Sequence, residues 1–150
     1  MLLLRIVYVS TATRPLSAAT LDAMLVLCRV RNRDDGVTGL LLCAGDQFMQ
    51  AIEGPPGAVN DLRGRLLADR RHQAYRELLR QDTPARMFPD WSMEFRRIDG
   101  QMPAGFRLLV DRAVRHGPAA SDAAVREVER FLEEFRTHGA AHFPAITGNA

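Results

Sequence analysis

Val37-Thr38-Gly39-Leu40-Leu41-Leu42-Cys43-Ala44-Gly45-Asp46-Gln47-Phe48-Met49-Gln50-Ala51-Ile52-Glu53-Gly54 is the stretch on which the fold turns. Val37 to Ala44 is too continuously apolar to leave one face in water, so it reads as a strand covered on both sides. Gly45-Asp46 suits a two-residue hairpin turn, and Gln47 to Gly54 returns as the partner strand. Upstream, Leu2 to Ser10 is β-branched and apolar on both faces and predicts a central strand. Ser17 is a plausible N-cap for a helix in which Leu21, Met24, Leu25 and Cys28 repeat at the spacing of a buried stripe. That helix is expected to end near Asn32, with Asp34-Asp35-Gly36 as a turn. Downstream, Pro55-Pro56-Gly57 stops the hairpin, and Val59, Leu62, Leu66 and Leu67 mark a second helix. Tyr75 to Gln81 reads as a fourth strand. Trp91, Met93 and Phe95 alternate with Ser92, Glu94 and Arg96, the period of a half-buried fifth strand.

The order βαββαββ predicts an α+β, ferredoxin-like sandwich over residues 1–99. Residues 100–150 form a helical extension: Gly100, Pro103 and Gly105 punctuate a connection, and Leu108, Leu109 and Val114 suggest a short helix. Val125, Val128, Leu132 and Phe135 mark a longer one. Its apolar stripe must cover the opposite sheet face or another subunit, and the last dozen residues read as frayed.

Composition narrows the function. With 150 residues, 47% hydrophobic and 25% charged, the chain is of ordinary globular type. It has no lysine, so all 20 basic residues are arginine, which excludes Schiff-base chemistry and a P-loop lysine. Those 20 basic residues stand interspersed with 18 acidic ones, so direct nucleic-acid binding is not expected. His72, His116, His138 and His142 have no metal-site spacing, and Cys28 and Cys43 read as core residues of a reducing compartment. No secretory pattern opens the chain and no apolar run could span a bilayer, so a cytoplasmic protein away from the membrane is expected.

Three polar side chains should point inward: Tyr8, Asn32 and Gln50. The first and third strands of such a sandwich are neighbours, so a phenol and an amide on one face can reach a common ligand. Together with Arg5 to Ser10, Val37 to Leu41, Phe48 to Gly54 and Trp91-Ser92-Met93, these residues resemble the BLUF family of blue-light sensors. The resemblance implies a non-covalent flavin, FAD with FMN as the other choice, held edge-on to the sheet between the two helices. By position, Tyr8 would give an electron and proton to the excited flavin, and Gln50 would bridge Tyr8 and the ring. Asn32 would meet the flavin's carbonyl and imide edge, Trp91 and Met93 would lie beside Gln50, and Arg65 and Asp69 would stand near the flavin's side chain. Arg31 and Cys28 depart from the family's usual Asn or His and Ser, and are expected to retune recovery without removing the ring. The implied function is a photoreceptor and not an enzyme. No cyclase, phosphodiesterase or DNA-binding segment is read after residue 99, so output should pass to an unidentified effector protein or through a homo-oligomer. Two other readings remain at the level of sequence: an RNA-binding ferredoxin-like module, and a small acyl-phosphate hydrolase using Arg14 and Asn32.

Overall fold

A computed structural model of the protein describes residues 2–98 and 102–138. The elements run β1 (Leu3–Ala12), α1 (Ala18–Asp35), β2 (Thr38–Ala44), β3 (Gln47–Gly54), α2 (Pro56–Ala68), β4 (His72–Thr83), β5 (Glu94–Ile98), α3 (Ala104–His116) and α4 (Asp122–His138). The sheet order is β4-β1-β3-β2-β5. All neighbours are antiparallel except β2 and β5, which are parallel. This is the expected ferredoxin-like sandwich with a fifth strand added at the β2 edge. Register places Tyr8 directly opposite Gln50, so the two polar residues emerge on one face as adjacent cross-strand partners.

Strand alternation sends the two faces of the sheet into separate cores. Leu4, Ile6, Phe48 and Ile52 pack with Leu21 and Leu25 of α1 and Val59 and Leu62 of α2. Val7, Val9, Met49 and Ala51 pack with Phe106 and Leu109 of α3 and Val128, Leu132 and Phe135 of α4. The α4 stripe is therefore spent on its own sheet, the first of the two covers the sequence allowed. Leu108 and Val114, read as marking α3, instead face outward at 66% and 55% exposure, and Phe106, Leu109 and Ala113 are that helix's buried face.

Local chemistry explains the element ends. Ser17 caps α1, accepting from the Thr20 amide at 3.1 Å. The helix does not stop at Asn32 but runs one further turn to Asp35. Gly36, at φ 73°, closes it, with Val37 N–H donating to Asn32 O and Gly36 N–H to Arg33 O. This left-handed cap satisfies carbonyls that would otherwise be orphaned, and glycine adopts it without steric cost. The fifth strand begins at Glu94, where pairing with Leu40 starts. Trp91, Ser92 and Met93 lie before it, and that shift matters for the site. Gly100 and the last dozen residues, read as a connection and as frayed, lie outside the described residues.

Candidate functional site

Tyr8 and Gln50 are both buried, at 3% and 4% exposure, at the floor of a cleft between α1 and α2. The Tyr8 hydroxyl donates to Gln50 Oε1. Gln50 Nε2 donates to the Met93 sulfur at 3.3 Å, a weak acceptor that leaves most of the amide's donor capacity unspent. A buried amide with so little to satisfy it calls for a polar ligand atom in the cleft. Burial, reinforced by the neighbouring Tyr75, holds the Tyr8 hydroxyl well above the ordinary tyrosine value, so it enters any reaction as a neutral phenol.

The cleft is partly open to solvent, and Leu21, Leu25, Leu41, Phe48 and Leu66 supply apolar walls around Tyr8, Gln50, Asp69, Arg71 and His72. A second portion, sharing Cys28, Leu66, Asp69 and Arg71 with the first, continues between the helices and carries Arg31, Asn32 and Arg65. An apolar slot with a phenol and an under-satisfied amide at its floor, and arginines along its outer reach, fits a flavin: the slot suits the ring system and the guanidinium groups suit phosphate. The residues present therefore fit the group that the sequence resemblance implies.

Asn32 is 1% exposed. Its amide donates to Ser92 O at 2.8 Å and to the Cys28 sulfur at 3.4 Å, and Arg29 Nε donates to Met93 O at 2.8 Å. Two α1 side chains thus clamp the segment before β5. Met93 is buried with the α1 and α2 core. Trp91 packs against the opposite core and stacks on Phe88 at 5.5 Å. A regular strand would have put both on one face; because residues 91–93 precede the regular pairing, the chain sends Met93 to the cleft and Trp91 away from it. Arg65 lies 4.0 Å from Asp35. Asp69 is held below the usual carboxylate range chiefly by its hydrogen bond from Arg71. Burial raises the Cys28 thiol, so it lines the cleft as a neutral group.

Arg71 and His72 were not singled out in the sequence. His72 is anchored by Ser10 Oγ at 2.8 Å and Leu66 O at 2.5 Å, and its ring meets Tyr8 edge-on. The signal available was their position two and three residues after Asp69. Arg14 and Asn32 line different clefts, so the pair required for the acyl-phosphate reading is not brought together.

Comparison with known proteins agrees with this geometry. Residues 3–94 match the family described as "BLUF: Sensors of blue-light using FAD", and the chain belongs to that family. It is thus a flavin-using sensor of blue light. It is 34% identical over 87 residues to photoactivated adenylate cyclase subunit beta of Euglena gracilis, a match covering 57% of this chain and 10% of that protein. Among solved structures it resembles the dark state of the BLUF protein BlrB, at TM-score 0.67 and 30% identity, over 88% of this chain and 96% of that one. It also resembles BlrP1 of Klebsiella pneumoniae with FMN and cyclic diGMP, at TM-score 0.64 and 25% identity, over 92% of this chain and 35% of the other. The chain spans about a tenth of the cyclase subunit it matches.

Proposed function

We propose that the chain reports blue light by rearranging the Gln50 amide, with Tyr8 as the electron and proton donor. The observation carrying this reading is the buried run from Tyr8 through Gln50 to the Met93 sulfur. Bound flavin supplies absorption of blue light and an excited state that takes up an electron. Tyr8 is the phenol placed to provide it. Gln50 offers an oxygen to Tyr8 and a donor on its other side, so a rotated or re-protonated amide presents a different hydrogen-bond pattern to the cleft. Met93 then loses its donor, and its backbone leads directly into β5. Asn32 and Arg29 hold that segment, Arg65, Arg71 and Asp69 line the outer reach that would take the flavin's side chain, and Trp91 acts from the far face of the sheet. We take FAD as the cofactor, consistent with the family description.

In this reading residues 1–99 sense light and residues 100–150 transmit it to an effector protein, with no catalytic step in the chain itself. A homo-oligomer joined through the C-terminal helices is part of it, supported by the exposed Leu108 and Val114 on α3. A cytoplasmic location agrees with two free cysteines. No helix among the described residues is long and apolar enough to cross a membrane. The test is a pair of variants. Tyr8→Phe and Gln50→Leu should each purify with flavin and lose the reversible red shift under blue light; a variant that keeps the shift removes its residue from the mechanism.

A further inference from the structure

The chain has two tyrosines, and the second, Tyr75, stacks on Tyr8 with ring centroids 4.5 Å apart and planes 27° from parallel. Its hydroxyl donates to Glu77 Oε2 at 2.7 Å, and the same oxygen accepts from Arg63 Nε at 2.5 Å. Glu77 stands opposite Tyr8 in the sheet, where the β1–β4 register shifts. Just before Tyr75, Ala74 holds φ at 56°, a left-handed region that L side chains enter at a cost. The strand is thus irregular where it brings a second phenol against the first, and the light reaction as read above uses neither Tyr75, Glu77 nor Arg63.

The two hydroxyls differ in what they rest on. Tyr8 donates to the oxygen of a neutral amide, a poor base, and Tyr75 donates to a carboxyl oxygen, a far better one. A phenol gives up an electron more readily when its proton can leave to a base at the same time. Stacked rings at contact distance provide the electronic path. We propose that Tyr75 is a second electron donor, which refills Tyr8 and passes its proton to Glu77.

The step balances. Tyr8 that has lost one electron to the light reaction and kept its proton is reduced by one electron from Tyr75. The Tyr75 O–H bond breaks and a Glu77 O–H bond forms. The products are neutral Tyr8 with its hydroxyl intact, a Tyr75 phenoxyl radical and protonated Glu77. The inference rests on Tyr8 being the first donor. Its consequence is a branch that restores Tyr8 before Gln50 has moved, so Tyr75 sets the share of absorbed light that fails to switch the amide.

The experiment is electron paramagnetic resonance of the flavin-loaded protein, frozen under blue light, for wild type, Tyr75→Phe and Glu77→Gln. Wild type should trap a tyrosyl signal, and both variants should lose most of it. Tyr75→Phe should also form more red-shifted product per absorbed photon. Glu77→Gln keeps the stacked ring and removes the base, so its result does not depend on how Tyr75→Phe folds. A wild type without a trapped tyrosyl signal, or a signal unchanged in both variants, overturns the proposal. The reading of Tyr8 as first donor fails separately, on a Tyr8→Phe variant that retains the red shift.

Discussion

Arg5 and Glu53 show what a single residue contributes on the face of the sheet away from the cleft. Glu53 is fully buried; it accepts from Arg5 Nε at 3.0 Å and from the amides of Met87 at 3.0 Å and Phe88 at 2.5 Å. Arg5 reaches on to Ala85 O at 3.1 Å and to Glu129 of α4 at 3.5 Å. Glu53→Ala would strip buried Arg5 of its Nε partner, leaving it Ala85 O and Glu129, and leave two backbone amides unmatched, at a cost of about 3–5 kcal/mol, measurable as a lowered urea midpoint. The tyrosines set a pH dependence. Burial raises Tyr8 and Tyr75 above the ordinary value, and the Glu77 hydrogen bond adds to the rise at Tyr75. Both therefore hold their protons more tightly folded than unfolded. Stability is full below the unfolded tyrosine value of about 10 and falls as pH rises past it toward the folded values. Urea unfolding at successive pH values should show that alkaline loss, and Tyr75→Phe should lessen it. Tyr8 and Gln50 were legible because alternation puts each on the inward face beside apolar residues, Tyr8 with Leu4 and Ile6 and Gln50 with Phe48 and Ile52. Arg71 and His72 at the cleft, and Tyr75 stacked behind Tyr8, were not, because their places depend on where α2 ends and on an irregular β4.

At the scale of elements, the β2–β3 hairpin was readable to the residue of its turn, since Gly45-Asp46 separates two strands that pair from Ala44 and Gln47 back to Thr38 and Glu53. Gly39 in that hairpin permits close approach: a Cβ there would stand 1.9 Å from Ala51 O and 3.2 Å from the Met93 methyl carbon. Gly39→Ala must therefore push β2 off β3 at Ala51 and Ile52, next to Gln50 in the strand, and press on Met93. It should lower the urea midpoint sharply and weaken flavin retention on a desalting column; a variant as stable and as yellow as wild type would contradict the packing described. The segment before β5 was misread because alternation along Trp91, Met93 and Phe95 has the period of a strand. The local backbone is instead set by Asn32 and Arg29 gripping Ser92 O and Met93 O, and by Gly39 N–H donating to Trp91 O at 2.8 Å. Such contacts between distant residues leave no periodic trace. The extra turn of α1 was hidden for a different reason, because Asp34-Asp35-Gly36 suits a turn as well as a helix end with a glycine cap.

Across the whole molecule the sheet separates the cleft face, with α1 and α2, from the face covered by α3 and α4, the one proposed to transmit the signal. Met93 and Trp91, two residues apart, sit on opposite sides of it. A change at Gln50 can thus reach the far core through one short segment, and a bias of about 1–3 kcal/mol at α3 and α4 is enough to alter partner binding several-fold. Hydrogen exchange across residues 91–137 should differ between dark and blue-lit wild type and should not differ in Gln50→Leu. Equal exchange in lit and dark wild type would sink this route even with the colour change intact. The overall division was legible because binary patterning assigns each strand its faces; which side Trp91 takes was not, since it depends on the packing of Phe88 and Met87 under α3 and α4. The most direct measurement is the absorption spectrum of the purified protein in darkness, under blue light and after return to darkness. The account predicts oxidised flavin whose band moves slightly to the red in light and returns in the dark. A protein that is colourless and ignores added flavin, or a flavin band unmoved by blue light, would contradict it.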